Sequence, residues 1–207
     1  KCKDMSKEEQ DEYVENIKAE YEKVKEFEFK TFDKIKEETK AADEKYFKLK
    51  KELSLKDEVL YITAQEHSLP SSMLAMIKYI KTEKNDYKQI VVANSENKAE
   101  CEDRLKRYNF SDVTVIGSDN EEYIKALCEA KYIFSDRALE YFFEIKEGQK
   151  YINLQTDCIS AKMAKKREME YFEFATAQKS IIASSASVYL NEVSQNSFEK
   201  AYRCEML

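Results

Sequence analysis

The sequence predicts an α/β domain, a mainly parallel sheet with helices on both faces, preceded by a long charged α-helix. Three observations carry this. Residues 57–207 alternate short β-branched or aromatic runs with stretches of helical period, the signature of strands joined by crossover helices. Residues 1–56 are almost entirely Lys, Glu, Asp and scattered aromatics. The 207-residue chain holds 2 Gly and 1 Pro, which implies long helices and few tight turns.

The charged helix comes first. Val14, Ile17, Tyr21, Val24, Phe27, Ile35, Ala42, Tyr46, Leu49 and Leu53 recur mostly at steps of three and four. A strict coiled-coil seam is interrupted by Glu28, Glu38, Lys45 and Glu52. A helix over residues 7–53 would extend about 70 Å at ~1.5 Å per residue. The α/β domain is only about 40 Å across, so the helix either projects or folds back near Thr39–Asp43. One narrow apolar stripe on a solvated helix is the plain reading. Self-association of helix 7–53, or its pairing with another domain, is the sharper one.

Six strands are then expected, at Glu58–Ala64, Gln89–Asn94, Asp112–Ile116, Lys131–Ser135, Lys150–Leu154 and Ser180–Ser184. Helices are expected over Ser71–Lys81, Glu96–Tyr108, Asn120–Ala130 and Ala186–Tyr202. Right-handed crossovers would place helices on both faces. Loops after the strands would then gather at one edge, where open α/β sheets bind ligands.

Composition removes several function classes. A net charge of −6 and a pI near 5.2 oppose binding to a phosphate backbone, so nucleic acid is not an expected partner. His67 is the single histidine, and the five cysteines show no CxxC pairing, so no metal site is expected. Scattered, odd-numbered cysteines fit a reducing, cytoplasmic compartment. No run approaches the ~20 apolar residues of a membrane span. The chain opens on Lys1 rather than Met, as a piece of a longer protein would. No Gly-rich phosphate loop is present, and no cofactor is expected.

The stretch AKYIFSDRALEYFFEIKEGQKYINLQTDC, Ala130–Cys158, carries a more particular signal. A strand ends in Ser135 and is followed by Tyr141–Phe142, then Glu147–Gln149, then Tyr151–Asn153. In that order these residues resemble the CDP-glycerol glycerophosphotransferases of teichoic-acid and related cell-wall polymer synthesis. Ser180–Val193 resembles the segment that follows in that family, and the likeness extends over roughly residues 58–207. It implies a Rossmann-like three-layer domain, the acceptor-side half of a two-lobed GT-B transferase. A second domain of the parent protein would bind the CDP-linked donor after Leu207. The resemblance further implies a polyol-phosphate polymer as acceptor and a place at the inner face of the membrane through the parent protein. Direct lipid binding should be weak, because the N-terminal helix is not basic.

One departure bears on activity. Where the family has Trp-His-Gly-Thr-Pro, this chain has Gln155, Thr156, Asp157, Cys158 and Ile159. The family's histidine, its expected base, falls on Thr156. A threonine hydroxyl cannot accept a proton near neutral pH, whereas an imidazole can. Asp157, if burial raised its pKa, and His67, in the loop after the first strand, are the remaining candidate bases. A degenerate domain, inactive alone, is therefore expected. The alternative is a scaffold module that oligomerises through its helix. Ser135, Asp136, Gln155, Thr156, Ser184 and Ser185 are the candidate substrate contacts. The serines and Asp136 equally suit helix capping. Lys165 and Lys166, in the basic run Lys162–Arg167, would meet an anionic polymer or form a solvated helix face.

Overall fold

The computed structural model describes residues 7, 15, 16, 18, 19, 40, 42–63, 69–83, 86–94, 96–118, 121–155 and 171–202. Two compact units divide the chain, Lys1–Lys45 and Tyr46–Leu207. Every described residue of the first is helical, and the rest of the helix expected there lies outside the described residues.

The second unit is built on one six-stranded sheet. A helix described over residues 42–52 (α1) leads to β1 (Lys56–Ile62), α2 (Ser71–Glu83), β2 (Lys88–Ala93) and α3 (Lys98–Arg107). There follow β3 (Thr114–Gly117), α4 (Glu121–Glu129), β4 (Ala130–Ser135), β5 (Lys150–Gln155), α5 (Tyr171–Ala183), β6 (Ala186–Tyr189) and α6 (Glu192–Tyr202). The strand order is β3-β2-β1-β4-β5-β6, and every pairing is parallel. This is the Rossmann order, with its reversal of direction between β1 and β4.

Burial explains the order. In β1 the residues Val59, Leu60, Tyr61 and Ile62 all have zero exposure, as a central parallel strand covered on both faces requires. Each such side chain contributes about 1.5–3 kcal/mol relative to an exposed position. One face, through Val59, Tyr61, Val91, Ala93, Phe134 and Leu154, packs against Met73, Leu74 and Ile77 of α2 and Cys101 and Leu105 of α3. On the other, Tyr151 meets the Phe143 ring edge-on and bonds its hydroxyl to Ser180 of α5. Helix α3 ends on Asn109, which takes the left-handed φ of 60° while Phe110 N–H closes back on Leu105 O.

The expected strand at Ser180–Ser184 is instead the end of α5. Its buried positions, Ala177 and Ser180, are three apart, and Ile182 points outward, so the helical period prevails over two β-branched residues. The sixth strand is the Ala-Ser-Val-Tyr segment that follows, and the helix expected from Ala186 begins at Glu192. That strand alternates exposed and half-buried residues, the pattern of a sheet edge rather than a core strand.

Candidate functional site

The reversal between β1 and β4 leaves a crevice at the carboxyl edge of the sheet, the usual ligand position in open α/β folds. Chain direction decides what stands there. β1 ends at Ile62 and delivers Thr63, β4 ends at Ser135 and delivers Asp136, and β5 ends at Gln155. The two turns are tied together, since Asp136 N–H donates to Ile62 O at 3.3 Å and Thr63 Oγ1 lies 3.5 Å from Asp136 Oδ2.

Register adds a row just below this rim, polar from β4 to β6. Ile62, Ser135, Asn153 and Ser187 stand level across β1, β4, β5 and β6. Ser135 and Asn153 are buried, so each polar group requires a partner. Ser135 Oγ donates to Arg137 O at 2.8 Å and accepts from Arg137 N–H at 3.2 Å, which fixes the turn that carries Asp136. Gln155 Nε2 donates to Asn153 Oδ1 at 2.6 Å.

Arg137 is the one cation among the described residues directly after β1, β4 and β5, and it is engaged. Its guanidinium donates to Glu140 Oε1 at 2.9 Å, to Tyr123 Oη at 3.3 Å and to Ala138 O at 3.0 Å. Tyr123 Oη in turn donates to Glu140 Oε2 at 2.5 Å. Burial alone would lower the Arg137 pKa, but Tyr123 and Glu140 outweigh it and raise it. Burial and then the Glu140 carboxylate push the Tyr123 phenol well above its ordinary value. The cluster is thus a locked, nearly neutral brace behind the β4 turn.

The opposite edge is organised differently. Gly148, at φ +82°, occupies the third position of a turn closed by Gln149 N–H to Lys146 O, where a type II turn requires positive φ. Gln149 Nε2 then bridges Leu127 O at 2.9 Å and Ala130 O at 2.7 Å, while its Oε1 accepts from Lys146 N–H. Lys146 Nζ donates to Leu53 O and Cys128 O, and burial lowers its pKa. Tyr46 Oη donates to Glu144 O and accepts from Glu144 N–H, so α1 is stitched to the same loop. An open groove of about 540 Å³ lies here, lined in part by Phe47, Lys51, Leu55 and Ile145. It stands at the amino edge, away from the crevice.

The expected contacts therefore separate. Ser135, Asp136 and Gln155 are together at the carboxyl rim. Ser184 and Ser185, expected to end a strand there, precede β6 and lie at the amino edge, where Ser185 N–H donates to Tyr151 O at 2.7 Å. Strand polarity sends them there once α5 absorbs the Ser180–Ser184 run. His67, Thr156, Asp157, Lys165 and Lys166 lie outside the described residues. Sequence reasoning missed Thr63, Asn153 and Arg137. Asn153 stood inside the quoted motif, and a position level with Ser135 is the signal that marks it. Among the described residues no group of His, Cys, Asp and Glu could hold a metal ion, and no helix is long and apolar enough to cross a membrane.

Comparisons with known proteins agree with this fold. The fold is similar to that of the wall teichoic acid polymerase TagF. A histidine-to-alanine variant of that protein superposes with a TM-score of 0.52 at 14% identity, over 72% of this chain and 37% of that one. A histidine-to-asparagine variant soaked with CDPG gives 0.52 at 13% identity, over 72% and 36%. TagF without a substitution gives 0.51 at 14% identity, over 72% and 36%. This chain thus spans little more than a third of the length of those structures, and at such identity the likeness establishes the fold. No curated protein matches by sequence. The family model for CDP-glycerol:poly(glycerophosphate) glycerophosphotransferase matches residues 45–206, nearly the whole α/β unit, and the chain belongs to that family.

Proposed function

We propose that this chain is the acceptor-side half of a glycerophosphotransferase of teichoic-acid or capsular polymer synthesis, and that it does not transfer by itself. The observation that carries the reading is the convergence of Thr63, Ser135, Asp136 and Gln155 at the carboxyl rim beside the β1–β4 reversal. Family membership supplies the chemical class, CDP-glycerol as donor and a poly(glycerol phosphate) chain as acceptor. The donor would bind a second α/β domain of the parent protein, which would also hold this half in the cytoplasm at the inner membrane face. The acceptor hydroxyl would lose its proton as it attacks the donor phosphorus, and CMP would leave.

Inactivity is argued from Thr156, which stands at the position of the family's histidine and offers no basic nitrogen. Asp157 and His67 are the substitutes the sequence offers, and Lys165 and Lys166 would neutralise acceptor phosphates. The test incubates the chain with CDP-glycerol and a glycerophosphate-primed acceptor. Binding of the acceptor without release of CMP is expected. Acceptor-dependent CMP release by the chain alone would contradict the inactive assignment, and Asp157→Asn would then identify the base. Self-association through helix 7–53 is read in the same sample by sedimentation. A dimer that becomes monomeric on deletion of residues 1–55 supports it, and a monomeric full chain at high concentration excludes it.

A further inference from the structure

A short turn after a strand needs little more than partners for its own N–H and C=O groups. The turn after β4 has far more. Ser135 Oγ holds both the N–H and the carbonyl of Arg137, and Asp136 N–H is tied to Ile62 O. The Arg137 guanidinium donates to Ala138 O at 3.0 Å, and Leu139 N–H donates to Ser180 Oγ at 2.9 Å. Arg137 also reaches Glu140 and, on α4, Tyr123, while Ser180 of α5 bonds Tyr151 Oη of β5. Residues 135–139 are therefore held from β1, α4 and α5 at once.

The groups used are expensive to bury. Tyr123 is 3% exposed and the Arg137 and Glu140 side chains 22% each, so a guanidinium, a carboxylate and a phenol give up most of their water here. Apolar side chains of similar volume could fill the same space at equal stability, because a buried ion pair gains little beyond its desolvation cost. What directional bonds add, and apolar packing does not, is one defined geometry. The geometry so defined belongs to the segment that delivers Ser135 and Asp136 to the carboxyl rim beside Thr63.

We propose that Arg137, joined to Tyr123 and Glu140, is a positioning residue for the acceptor, and that it acts through the β4 turn rather than on the acceptor itself. This rests on the acceptor-side reading above and adds which buried residues set the shape of that site. Without the cluster the turn samples other conformations, and binding must first order it. Ordering about one residue of backbone corresponds to about tenfold in apparent affinity.

The experiment replaces the cluster whole. Tyr123→Phe/Arg137→Met/Glu140→Leu removes one positive and one negative charge, so the net charge, and its effect on an anionic polymer, is unchanged. The melting temperature of the full chain should fall by no more than about 4 °C. Affinity for a poly(glycerol phosphate) oligomer, read by titration calorimetry, should drop about tenfold. Amide hydrogen exchange at Asp136 should quicken about tenfold, with Leu60 and Val91 in the centre of the sheet unchanged. Tyr123→Phe alone deletes one hydroxyl and covers the case in which the triple variant folds poorly. It should move affinity and Asp136 exchange in the same direction by a smaller factor. Full affinity in a folded variant would overturn the proposal. So would an affinity that declines only in step with melting temperature, as a purely structural brace would give. If the wild-type chain does not bind the oligomer, it is the acceptor-side reading that fails. Asp136 exchange still reports whether the cluster sets the turn, and no change there removes the positioning role as well.

Discussion

The two ends of β5 lie about five residues apart and follow opposite rules. At the amino end, Gly148, Gln149 and Tyr151 have their polar and conformational demands met inside the chain, by Lys146, Leu127, Ala130, Ser180 and Ser185. At the carboxyl end, Asn153 and Gln155 satisfy one bond between them and leave a donor and an acceptor without a partner among the described residues. One end is closed on itself, and the other keeps hydrogen-bonding groups that the described residues do not use. The difference teaches that most of the Gly-Gln-x-Tyr-Ile-Asn signal is architecture. It would persist in a chain whose reaction chemistry had changed one step further on, as proposed for Thr156.

Breaking the amino end should therefore cost stability, and the largest loss is expected for Gln149→Leu. It strips a donor from two carbonyls at the end of α4 and the start of β4, and leaves no water-accessible route to replace it at a residue 2% exposed. A loss of about 3 kcal/mol is expected. That corresponds to a melting temperature lower by about 10 °C in a scanning calorimeter. Gly148→Ala comes next, at about 1–2 kcal/mol for a left-handed residue. The added Cβ would meet only Leu55 Cδ1 at 3.5 Å, so the cost is one of backbone conformation. Urea unfolding of the pair, alone and combined, would show whether the turn and the amide bridge act together.

Tyr151→Phe should cost about 1 kcal/mol at neutral pH by removing the bond to Ser180. It also sharpens a pH dependence. Burial pushes the Tyr151 phenol up to about 12 and the Cys128 thiol up to about 11, from ordinary values of 10.0 and 9.0. In that alkaline window the folded chain holds protons that the unfolded chain releases. Stability is then fully present below pH 9 and falls as pH rises through 9 to 12. Urea midpoints measured at pH 8 and pH 10.5 should show the decline, and Tyr151→Phe should make it shallower. The smallest effect belongs to the other end of the strand. Gln155→Ala should change stability by no more than about 0.5 kcal/mol, as a half-buried side chain with one side-chain bond would.

Much of this was legible in the residues. Strands β1 to β5, helices α2 to α4 and the family itself follow from apolar runs, helical periods and one motif, because burial on both faces forces such runs into central strands. The last strand was misplaced for a physical reason. Ser180-Ile181-Ile182 has strand composition, but Ser180 lies on helix α5, bonded to Tyr151 and accepting from Leu139 N–H, which only the assembled sheet reveals. Ala186–Tyr189 is a half-exposed edge and lacks the apolar weight that would announce it. The site was half legible. Ser135, Asp136 and Gln155 follow from strand ends, whereas Asn153 joins them through register between β4 and β5 and Thr63 through its contact with Asp136, relations between distant segments that no spacing in the sequence encodes.

The division between a structural amino edge and a ligand-facing carboxyl edge is tested most directly by an amide shift map of the full chain titrated with a poly(glycerol phosphate) oligomer. Perturbations are predicted at Thr63, Asp136, Asn153 and Gln155, with Gly148, Gln149, Tyr151 and Ser185 unmoved. Shifts gathered at the latter group, around the groove of Phe47, Lys51 and Ile145, would contradict the account.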